Sequence, residues 1–268
     1  VVYFHDNQLP PPASTSDNPL DTVNLNTAMA ATEIWFNSAF HLRSFFLKGT
    51  ALVQRHESMA GMNPMQQIMD KAVLIPPPVD IAAARQMATP QTKRDMKVYY
   101  LDTRDADMRL LNHGLGMLLR RNVKYRLITV GPVDRLDPDL PRRTISEHDE
   151  AAQVAALHEA GVHISARYDA MTDLQAVRAL ALGCWPIYAR SGVYPELLPA
   201  ALHPFCLYDR SGEALANRLH DIYTIEQPRN YQKDLAEILK PFEAIPACRL
   251  MDDRLEQLVI SASMGGGS

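Results

Sequence analysis

Short apolar stretches alternate with helical ones from residue 97 to residue 189, and this alternation restricts the possible folds most strongly. Apolar runs bounded by turn residues indicate buried strands, and the longer periodic stretches between them indicate helices. Strands that alternate with helices favour a parallel sheet covered on both faces. We predict strands at 97–102, 125–131, 143–146, 162–166 and 185–189, and helices at 106–121, 149–160 and 173–182.

The first 80 residues show a weaker form of the same pattern. We predict strands at 1–5, 33–38 and 72–75, and helices at 20–31 and from the capping Ser38 to about Lys48. Residues 49–63 are expected to be irregular. Three consecutive prolines, 76–78, and the polar stretch 82–96 indicate a boundary, which gives an N-terminal domain 1–80 and a C-terminal domain 81–268. Further helices are predicted at 195–199, 211–225, 229–240 and 252–260.

Both ends of the sequence are unusual. It starts with "VVYFH", without methionine and inside a predicted strand, and it ends with "SMGGGS", which is typical of a linker. We therefore expect the N-terminal domain to be incomplete, with residues of the natural protein preceding Val1.

The composition limits the classes of partner. Of the 268 residues, 47% are hydrophobic and 22% are charged, and the formal net charge is −4, so a nucleic-acid partner would need a local basic patch. Two basic clusters exist, and we interpret both as solvated surface. The first cluster is Lys93, Arg94 and Lys97, and the second is Arg120, Arg121, Lys124 and Arg126.

Cysteine usage and hydropathy indicate a cytoplasmic protein. The three cysteines, Cys184, Cys206 and Cys248, are far apart and odd in number, which suits a reducing compartment. They show no zinc-site spacing, so we expect no metal there. No stretch approaches the roughly 18 apolar residues of a membrane span, and no signal peptide is present, so we expect no membrane partner. Nothing in the sequence indicates an oligomeric state.

Common nucleotide-binding motifs are absent. No Walker loop occurs, and the glycines Gly114 and Gly116 fall inside a predicted helix, so they do not form a dinucleotide fingerprint. Asp105 and Asp107 follow a predicted strand. They could hold a divalent ion beside a diphosphate, but we prefer the interpretation that they cap the helix at 106–121.

Polar residues follow several predicted strands, where open α/β folds bind ligands. His5 ends the first strand and is followed by Asp6, Asn7 and Gln8, and a lone histidine there is equally consistent with a site and with a structural role. Asn37 and Ser38 end the second strand. In the second domain, a helix that we expect Thr172 to cap and Gly183 to end has its N-terminus near two strand ends of that domain, where it could face an anion. The next strand leads to Ser191, Gly192, Tyr194, Pro195 and Glu196.

Three stretches carry a family resemblance. "YFHDNQLP" resembles "YFHENQLxYP", "IWFNSAFHLRSF" resembles "VVFNSxFNxxSF", and "LALGCWPIYARSGVYPELLP" resembles "xxCGCYPLxPxxLVYPEIFP". These are motifs of retaining glycosyltransferases with two Rossmann-type domains (the GT-B type), and in particular of the tRNA-queuosine α-mannosyltransferase family and its bacterial relatives. The first two motifs are fairly specific to that family, and the last is common to GT-B donor domains.

The resemblance implies a fold, a reaction and site residues. The fold would be GT-B-like, with two Rossmann-type parallel-sheet domains. The second domain would hold a nucleotide-sugar donor, such as GDP-mannose, and the first would bind the acceptor, for which queuosine in tRNA is one candidate. No metal or other cofactor would be needed. His5 would be catalytic and Asp6, Asn7, Gln8, Asn37 and Ser38 would face the acceptor, while the donor would contact Arg104, Thr172, Gly183, Ser191, Gly192, Tyr194 and Glu196.

The sequence also departs from the family pattern. Two glutamates, eight residues apart, precede the family's Gly-Cys pair, but the matching positions here hold Ala170 and Arg178. Of the phosphate-contacting segment that follows the first donor-domain strand, only Arg104 is retained. The alternatives to a sugar-transfer enzyme are therefore a non-catalytic relative that binds or scaffolds, and a stand-alone nucleotide-binding module.

Overall fold

The computed structural model describes residues 1–6, 8–14, 22–56, 61, 63–87, 94–224 and 232–265. The chain divides into two compact units. The first unit comprises Val1–Pro77 together with Ala247–Ser268, and the second comprises Pro78–Pro246. The last segment was expected to belong to the second domain, whereas its contacts place it with the first unit.

The first unit contains a parallel three-stranded sheet. Its strands are β1 (Val2–Phe4), β2 (Ile34–Phe36) and β3 (Ala72–Leu74), in the order β1-β2-β3. Its helices are Val23–Ala30, Ala39–Arg55 and Pro64–Met69. The core of this unit is formed by aromatic and aliphatic side chains of the strands and helices, among them Phe4, Phe36 and Phe45.

The second unit contains a six-stranded sheet in which every pair of neighbouring strands is parallel. Its strands are β4 (Asp95–Asp102), β5 (Arg126–Val130), β6 (Arg142–Ile145), β7 (Ala160–Ser165), β8 (Trp185–Ala189) and β9 (Leu207–Tyr208). The strand order is β6-β5-β4-β7-β8-β9. This is the doubly wound order of a Rossmann-type sheet. The order in which strands are added to the sheet reverses between β4 and β7, although all strands run parallel.

Helices cover both faces of this second sheet, as the alternating pattern predicts. They span Ile81–Gln86, Met108–Arg120, Glu150–Glu159, Leu174–Ala181, Tyr194–Leu197, His203–Cys206, Gly212–Thr224 and Gln232–Leu239. Two separate groups of buried apolar side chains pack against the sheet, and central strands such as β7, which is buried along its length, contribute to both. A last helix, Ala244–Gly265, follows. None of the helices in the described ranges is both long and apolar enough to cross a membrane.

Several local expectations were wrong. The helix Ala39–Arg55 continues through residues that were expected to be irregular. One side of it stays buried along this length, at Phe45, Gly49 and Leu52. The short strand β9 was not predicted, since two residues carry no periodicity. The last helix is longer than the predicted 252–260.

The helix Leu174–Ala181 is capped by a different residue from the one predicted. The Asp173 carboxylate accepts a hydrogen bond from the main-chain N–H of Ala176 at 2.9 Å, so Asp173, not Thr172, is the N-cap. Carboxylates are strong caps because they also interact favourably with the helix dipole. The predicted end of the helix is confirmed, since Gly183 follows it with a φ of +84°.

Arg94 is another correction, because it is not part of a solvated basic surface. Its Nη1 donates to the main-chain oxygens of Leu157 and Ala160 at 2.9 and 2.8 Å, and its Nη2 donates to that of Leu182. Each of these carbonyls lies at or next to a helix C-terminus, where no intrahelical donor is available. The second cluster of Arg120, Arg121, Lys124 and Arg126 is exposed as predicted, and Lys93 lies outside the described residues.

Candidate functional site

The reversal of strand order between β4 and β7 creates a crevice at the carboxyl edge of the second sheet. Helices that leave the two strands diverge to opposite faces, so the strand ends are left uncovered between them. Asp102 ends β4 and is followed by Thr103 and Arg104, and Ser165 ends β7 and is followed by Ala166 and Arg167. The N-H of Asp107 donates to the oxygen of Ala166 at 3.1 Å, so the two exits are in direct contact.

Arg104, which the sequence analysis assigned to the donor, lies at this crevice but is held by Asp102. The Asp102 Oδ1 accepts from the Arg104 main-chain N–H at 3.0 Å and from its Nε at 2.9 Å. Hydrogen bonding to Asp102 raises the pKa of Arg104. Asp102 itself is buried, and the pair leaves only part of the guanidinium available to an anion.

Arg167 is a second cation at the crevice that sequence reasoning did not single out. Its Nη2 lies 3.6 Å from the Asp105 Oδ2, and its Nη1 lies 4.0 Å from the Asp173 Oδ2. Both separations are longer than a charge-assisted hydrogen bond. The guanidinium is therefore placed by two carboxylates without forming the tight pair that Arg104 forms. Its position directly after a predicted strand was the signal that could have identified it.

Asp173 connects the cap of its helix to two buried hydroxyls. The hydroxyl of Tyr194 donates to the Asp173 Oδ2 at 2.8 Å and lies 2.5 Å from the Ser165 Oγ. Burial raises the pKa of Tyr194, so this phenol remains a neutral donor. Tyr194 is completely buried, so the structure gives it a supporting role beneath the crevice instead of the predicted contact with the donor.

The loop that follows β8 packs on the loop that follows β7. The Ser191 Oγ donates to the Tyr168 oxygen, and the Val193 N–H donates to the Ala170 oxygen at 3.0 Å. Gly192 has a φ of +64°, and a Cβ added there would lie 2.9 Å from the Ala170 oxygen. Backbone therefore approaches backbone at a point where only glycine fits without strain.

Glu196 lies one turn after this contact, in the short helix Tyr194–Leu197. It is half-buried, and its N–H donates to the Val193 oxygen at 2.9 Å. The structure thus brings Ser191, Gly192 and Glu196 to the carboxyl edge of the sheet, where the resemblance expects a donor. Thr172 is half-buried and precedes the Asp173 cap at the same edge.

Gly183 does not belong to this group, which corrects its predicted assignment to the donor. It precedes β8, at the edge where that strand begins, and a Cβ added there would face the Nε of Arg94 at 3.9 Å. The crevice is at the opposite edge, because all strands of the sheet run parallel. The function of Gly183 is to end the helix that precedes it.

The two positions that depart from the family pattern have ordinary structural roles. Ala170 is buried in the core of the second unit. The Arg178 Nη2 forms an ion pair of 2.8 Å with the Glu150 Oε1, which joins the helices Leu174–Ala181 and Glu150–Glu159. Neither position offers a carboxylate to a bound sugar.

In the first unit, the predicted acceptor-side residues follow β1 and β2. His5, Asp6 and Gln8 are exposed, and Asn7 lies outside the described residues. The ring of His5 lies 4.7 Å from that of Tyr3, whose hydroxyl donates to the Ile75 oxygen at 2.7 Å.

Asn37 and Ser38 are buried and organise this strand end. The Asn37 Nδ2 donates to the main-chain oxygen of His5 at 2.8 Å, and its Oδ1 lies 2.9 Å from the Nδ1 of His41. The Ser38 Oγ accepts from the His41 N–H at 3.0 Å and caps the helix Ala39–Arg55, as predicted. His41 was missed, because a histidine in the first turn of an amphipathic helix gives no distinctive pattern.

Of the acidic pair of the second unit, only Asp107 caps a helix, so the preferred interpretation is confirmed for Asp107 and not for Asp105, which lies near Arg167. The Asp107 Oδ1 accepts from the Leu110 N–H at 3.1 Å, at the start of Met108–Arg120. Within the part of the chain that the structure describes, no three His, Cys, Asp or Glu side chains lie close enough together to hold a metal ion. Gly114 and Gly116 lie inside the same helix, as predicted.

Solved structures of glycosyltransferases share this fold. The α,α-trehalose 6-phosphate synthase of Burkholderia multivorans superposes with a TM-score of 0.69 at 12% identity, covering 99% of this chain and 66% of that one. Sucrose-phosphate synthase of Thermosynechococcus elongatus gives 0.63 at 17%, covering 97% and 68%. Anabaena HepE in complex with UDP-glucose gives 0.65 at 15%, covering 96% and 72%. The fold is therefore of the GT-B type, and the chain spans roughly two thirds of the length of these structures.

The first unit also resembles one sequence family. Residues 1–79 match the family described as tRNA-queuosine alpha-mannosyltransferase N-terminal. No curated protein matches the chain by sequence. The glycosyltransferase-like fold and the family match together support a glycosyl-transfer function.

Proposed function

We propose that this protein transfers a sugar from a nucleotide-sugar donor to an acceptor, and that the crevice between β4 and β7 holds the donor diphosphate. The observation that carries the proposal is the placement of Arg104 and Arg167 on the two adjacent strand ends of that crevice. Guanidinium groups bind phosphate oxygens in a bidentate manner. The structure of Anabaena HepE with UDP-glucose supports a donor of this chemical class.

Arg167 is the stronger phosphate ligand of the two in this proposal. Arg104 already donates to Asp102 through both its main chain and its side chain, whereas Arg167 makes only the long ion pairs to Asp105 and Asp173. A diphosphate can therefore compete for Arg167 without breaking a short hydrogen bond. Glu196 and Ser191, at the neighbouring strand end, would then bind hydroxyls of the donor.

The finer proposal is transfer of mannose from GDP-mannose to queuosine in tRNA. The match of residues 1–79 to the queuosine mannosyltransferase family supports it. In this proposal His5 is the catalytic residue, and Asp6, Gln8 and the Asn37–Ser38 pair organise the acceptor side of the first unit. Asn7 is included on the resemblance alone.

Calorimetric titration of the full chain tests the donor site. GDP, UDP, GDP-mannose and UDP-glucose are titrated separately, and at least one is expected to bind. Arg167→Ala is expected to weaken that binding by about tenfold, which is the effect of one lost charge-assisted hydrogen bond. The matched control is Arg120→Ala, because Arg120 is exposed at the far end of the helix Met108–Arg120. Equal loss with both variants, or no heat with any nucleotide, would contradict the donor site.

Transfer itself is measured with radiolabelled donor and with tRNA that carries or lacks queuosine. Incorporation that requires queuosine and is lost in His5→Ala supports the finer proposal. Incorporation that persists in His5→Ala refutes the catalytic assignment of His5 but does not contradict the donor site.

A second candidate function is nucleotide-sugar binding without turnover. It is favoured by the apolar Ala170 and by the ion pair of Arg178 with Glu150, since neither position supplies the carboxylate of the family pattern. This candidate predicts a normal nucleotide titration together with no transfer to any acceptor.

A further inference from the structure

Asn37 spans the space between the end of β1 and the first turn of the helix Ala39–Arg55. The residue is 2% exposed, and both ends of its side-chain amide form hydrogen bonds. The Nδ2 donates to the main-chain oxygen of His5 at 2.8 Å, and the Oδ1 lies 2.9 Å from the Nδ1 of His41. One buried amide therefore links a residue of the helix to the strand end that presents His5.

The partners of Asn37 fix the hydrogen positions. The His5 carbonyl can only accept, so the atom of Asn37 that faces it must be the donating Nδ2. The remaining Oδ1 can only accept, so the Nδ1 of His41 must carry a hydrogen. The Nε2 of His41 is buried and has no partner among the described residues, which is tolerable for a bare lone pair and costly for an N–H.

His41 is held rigidly in this state. It is completely buried, its ring lies edge-on to that of Phe36 at 5.1 Å, and its own N–H donates to the Ser38 Oγ that caps the helix. Burial lowers the pKa of His41 to about 4, which keeps the ring neutral. A fixed neutral ring with one defined donor can orient the amide of Asn37, which in an open site would be free to rotate.

We propose that His41 is a positioning residue, which orients the Asn37 amide so that it fixes the main-chain carbonyl of His5 at the carboxyl end of β1. The catalytic consequence rests on the proposed function, in which His5 acts on the reactants. The structural consequence does not rest on it, because the order of His5 can be measured without turnover. His41 touches neither donor nor acceptor in this proposal.

Two substitutions separate positioning from packing. His41→Leu fills the buried site with an apolar side chain and removes the N–H donor, so that the Asn37 Oδ1 loses its partner. His41→Asn supplies a side-chain N–H and is the rescue variant. The matched control is Leu47→Ala, because Leu47 lies on the same helix and is 65% exposed.

Backbone relaxation measured by NMR is the first readout. The order parameters of His5 and Asp6 are expected to be those of rigid backbone, about 0.85, in the wild type and in Leu47→Ala, and to fall below about 0.6 in His41→Leu. His41→Asn is expected to restore them. Unchanged order parameters in a folded His41→Leu protein overturn the proposal, as does equal loss in the Leu and Asn variants.

The kinetic readout applies to the full chain with donor and acceptor. His41→Leu is expected to lower kcat by about tenfold, with the donor KM within about twofold of the wild type, because a misplaced catalytic group affects the chemical step more than donor binding. His41→Asn is expected to recover most of the loss. If the wild type shows no turnover, the proposed function fails, and the order parameters alone decide whether His41 positions His5. If His41→Leu does not fold, His41→Met, which also removes the donor, takes its place in the comparison with His41→Asn.

Discussion

Arg254 and Glu33 lie 221 residues apart in the chain and form a bidentate ion pair. The Arg254 Nε lies 2.9 and 2.8 Å from the two carboxylate oxygens of Glu33, and its Nη2 lies 2.6 Å from one of them. The same carboxylate accepts from the indole N–H of Trp35 at 2.6 Å, next to β2. This arrangement fixes the last helix to the first sheet and accounts for the grouping of Ala247–Ser268 with the first unit.

Loss of this pair is expected to destabilise the first unit. Glu33 is buried, and Arg254→Ala would leave its charge with only the Trp35 hydrogen bond. We expect the free energy of unfolding to fall, but by less than for a fully buried pair, because the Arg254 side chain is 40% exposed. Urea unfolding measures it, with Arg249→Ala, an exposed position on the same helix, as the control.

The same pair has a defined pH dependence. Hydrogen bonding to Arg254 lowers the pKa of Glu33 from its ordinary value of 4.5, so the stabilisation is present above that value and is lost as the pH falls below it. The difference in unfolding free energy between the wild type and Arg254→Ala should therefore shrink in acid. A difference that stays constant from pH 7 to pH 3 would contradict the ion pair.

His41 predicts a separate dependence on pH with its own window. Burial lowers the pKa of His41 from 6.5 to about 4, with Lys48 and His5 acting in the same direction and Asp6 in the opposite one. Between these two pH values His41 is protonated in the unfolded state and neutral in the folded state. The free energy of unfolding therefore falls as the pH drops from 6.5 to 4. The fall attributable to His41 is up to about 3 kcal/mol.

The variant His41→Asn isolates this contribution, since asparagine does not titrate. His163, whose pKa burial also lowers, acts in the same direction and cancels in the comparison. Parallel stability curves for the wild type and His41→Asn over this range would show that His41 is not the titrating group.

Asp173 is expected to contribute more to stability than its neighbour Thr172. Asp173→Ala removes the cap of the helix Leu174–Ala181 and leaves the buried hydroxyl of Tyr194 with only one of its two hydrogen-bond partners, Ser165. Both effects are unfavourable, and together they should lower the free energy of unfolding by about 2–3 kcal/mol. Thr172→Ala, at the position first expected to be the cap, should change it by less than about 0.5 kcal/mol. Equal effects of the two variants in thermal unfolding would contradict the larger contribution assigned to Asp173.

Gly192→Ala is expected to disturb the rim of the donor crevice. A methyl group there would lie 2.9 Å from the Ala170 oxygen, and the φ of +64° is unfavourable for alanine. We expect a loss of about 1–3 kcal/mol in the free energy of unfolding and weaker nucleotide binding. Gly116→Ala is the control, because Gly116 lies inside a helix where alanine should be neutral or stabilising. Nucleotide binding that is unaffected by Gly192→Ala would place the donor elsewhere.

The sequence was sufficient to predict most of the second unit. Alternating apolar strands and helices at 97–189 predicted five parallel strands and the helices between them, and Gly183 predicted where a helix ends. Such features depend on residues that are close in the chain. The short strand β9, by contrast, exists only because β8 offers it a partner, with Ala189 opposite Tyr208.

The candidate site was predicted only in part. The strand ends that carry His5 and Glu196 could be located because strand exits are visible in the hydrophobic pattern, whereas Arg104 was assigned through the family resemblance. A strand exit also marks the position of Arg167, but it does not reveal the long ion pair with the distant Asp105, and His41 lies inside a helix and at no strand exit. Tyr194 looked like a ligand contact, but three-dimensional packing places its hydroxyl beneath the crevice on Asp173.

The sequence by itself determined the fold class and most helix ends, because local patterns of apolar residues, caps and glycines act over a few residues. Only the tertiary structure decided which charges are already paired. It assigned Arg104 to Asp102, Arg178 to Glu150 and Arg254 to Glu33, and left Arg167 with long contacts at the crevice. The physical reason is that an ion pair depends on distances of a few ångströms between side chains, which the folded backbone sets and the order of residues does not reveal.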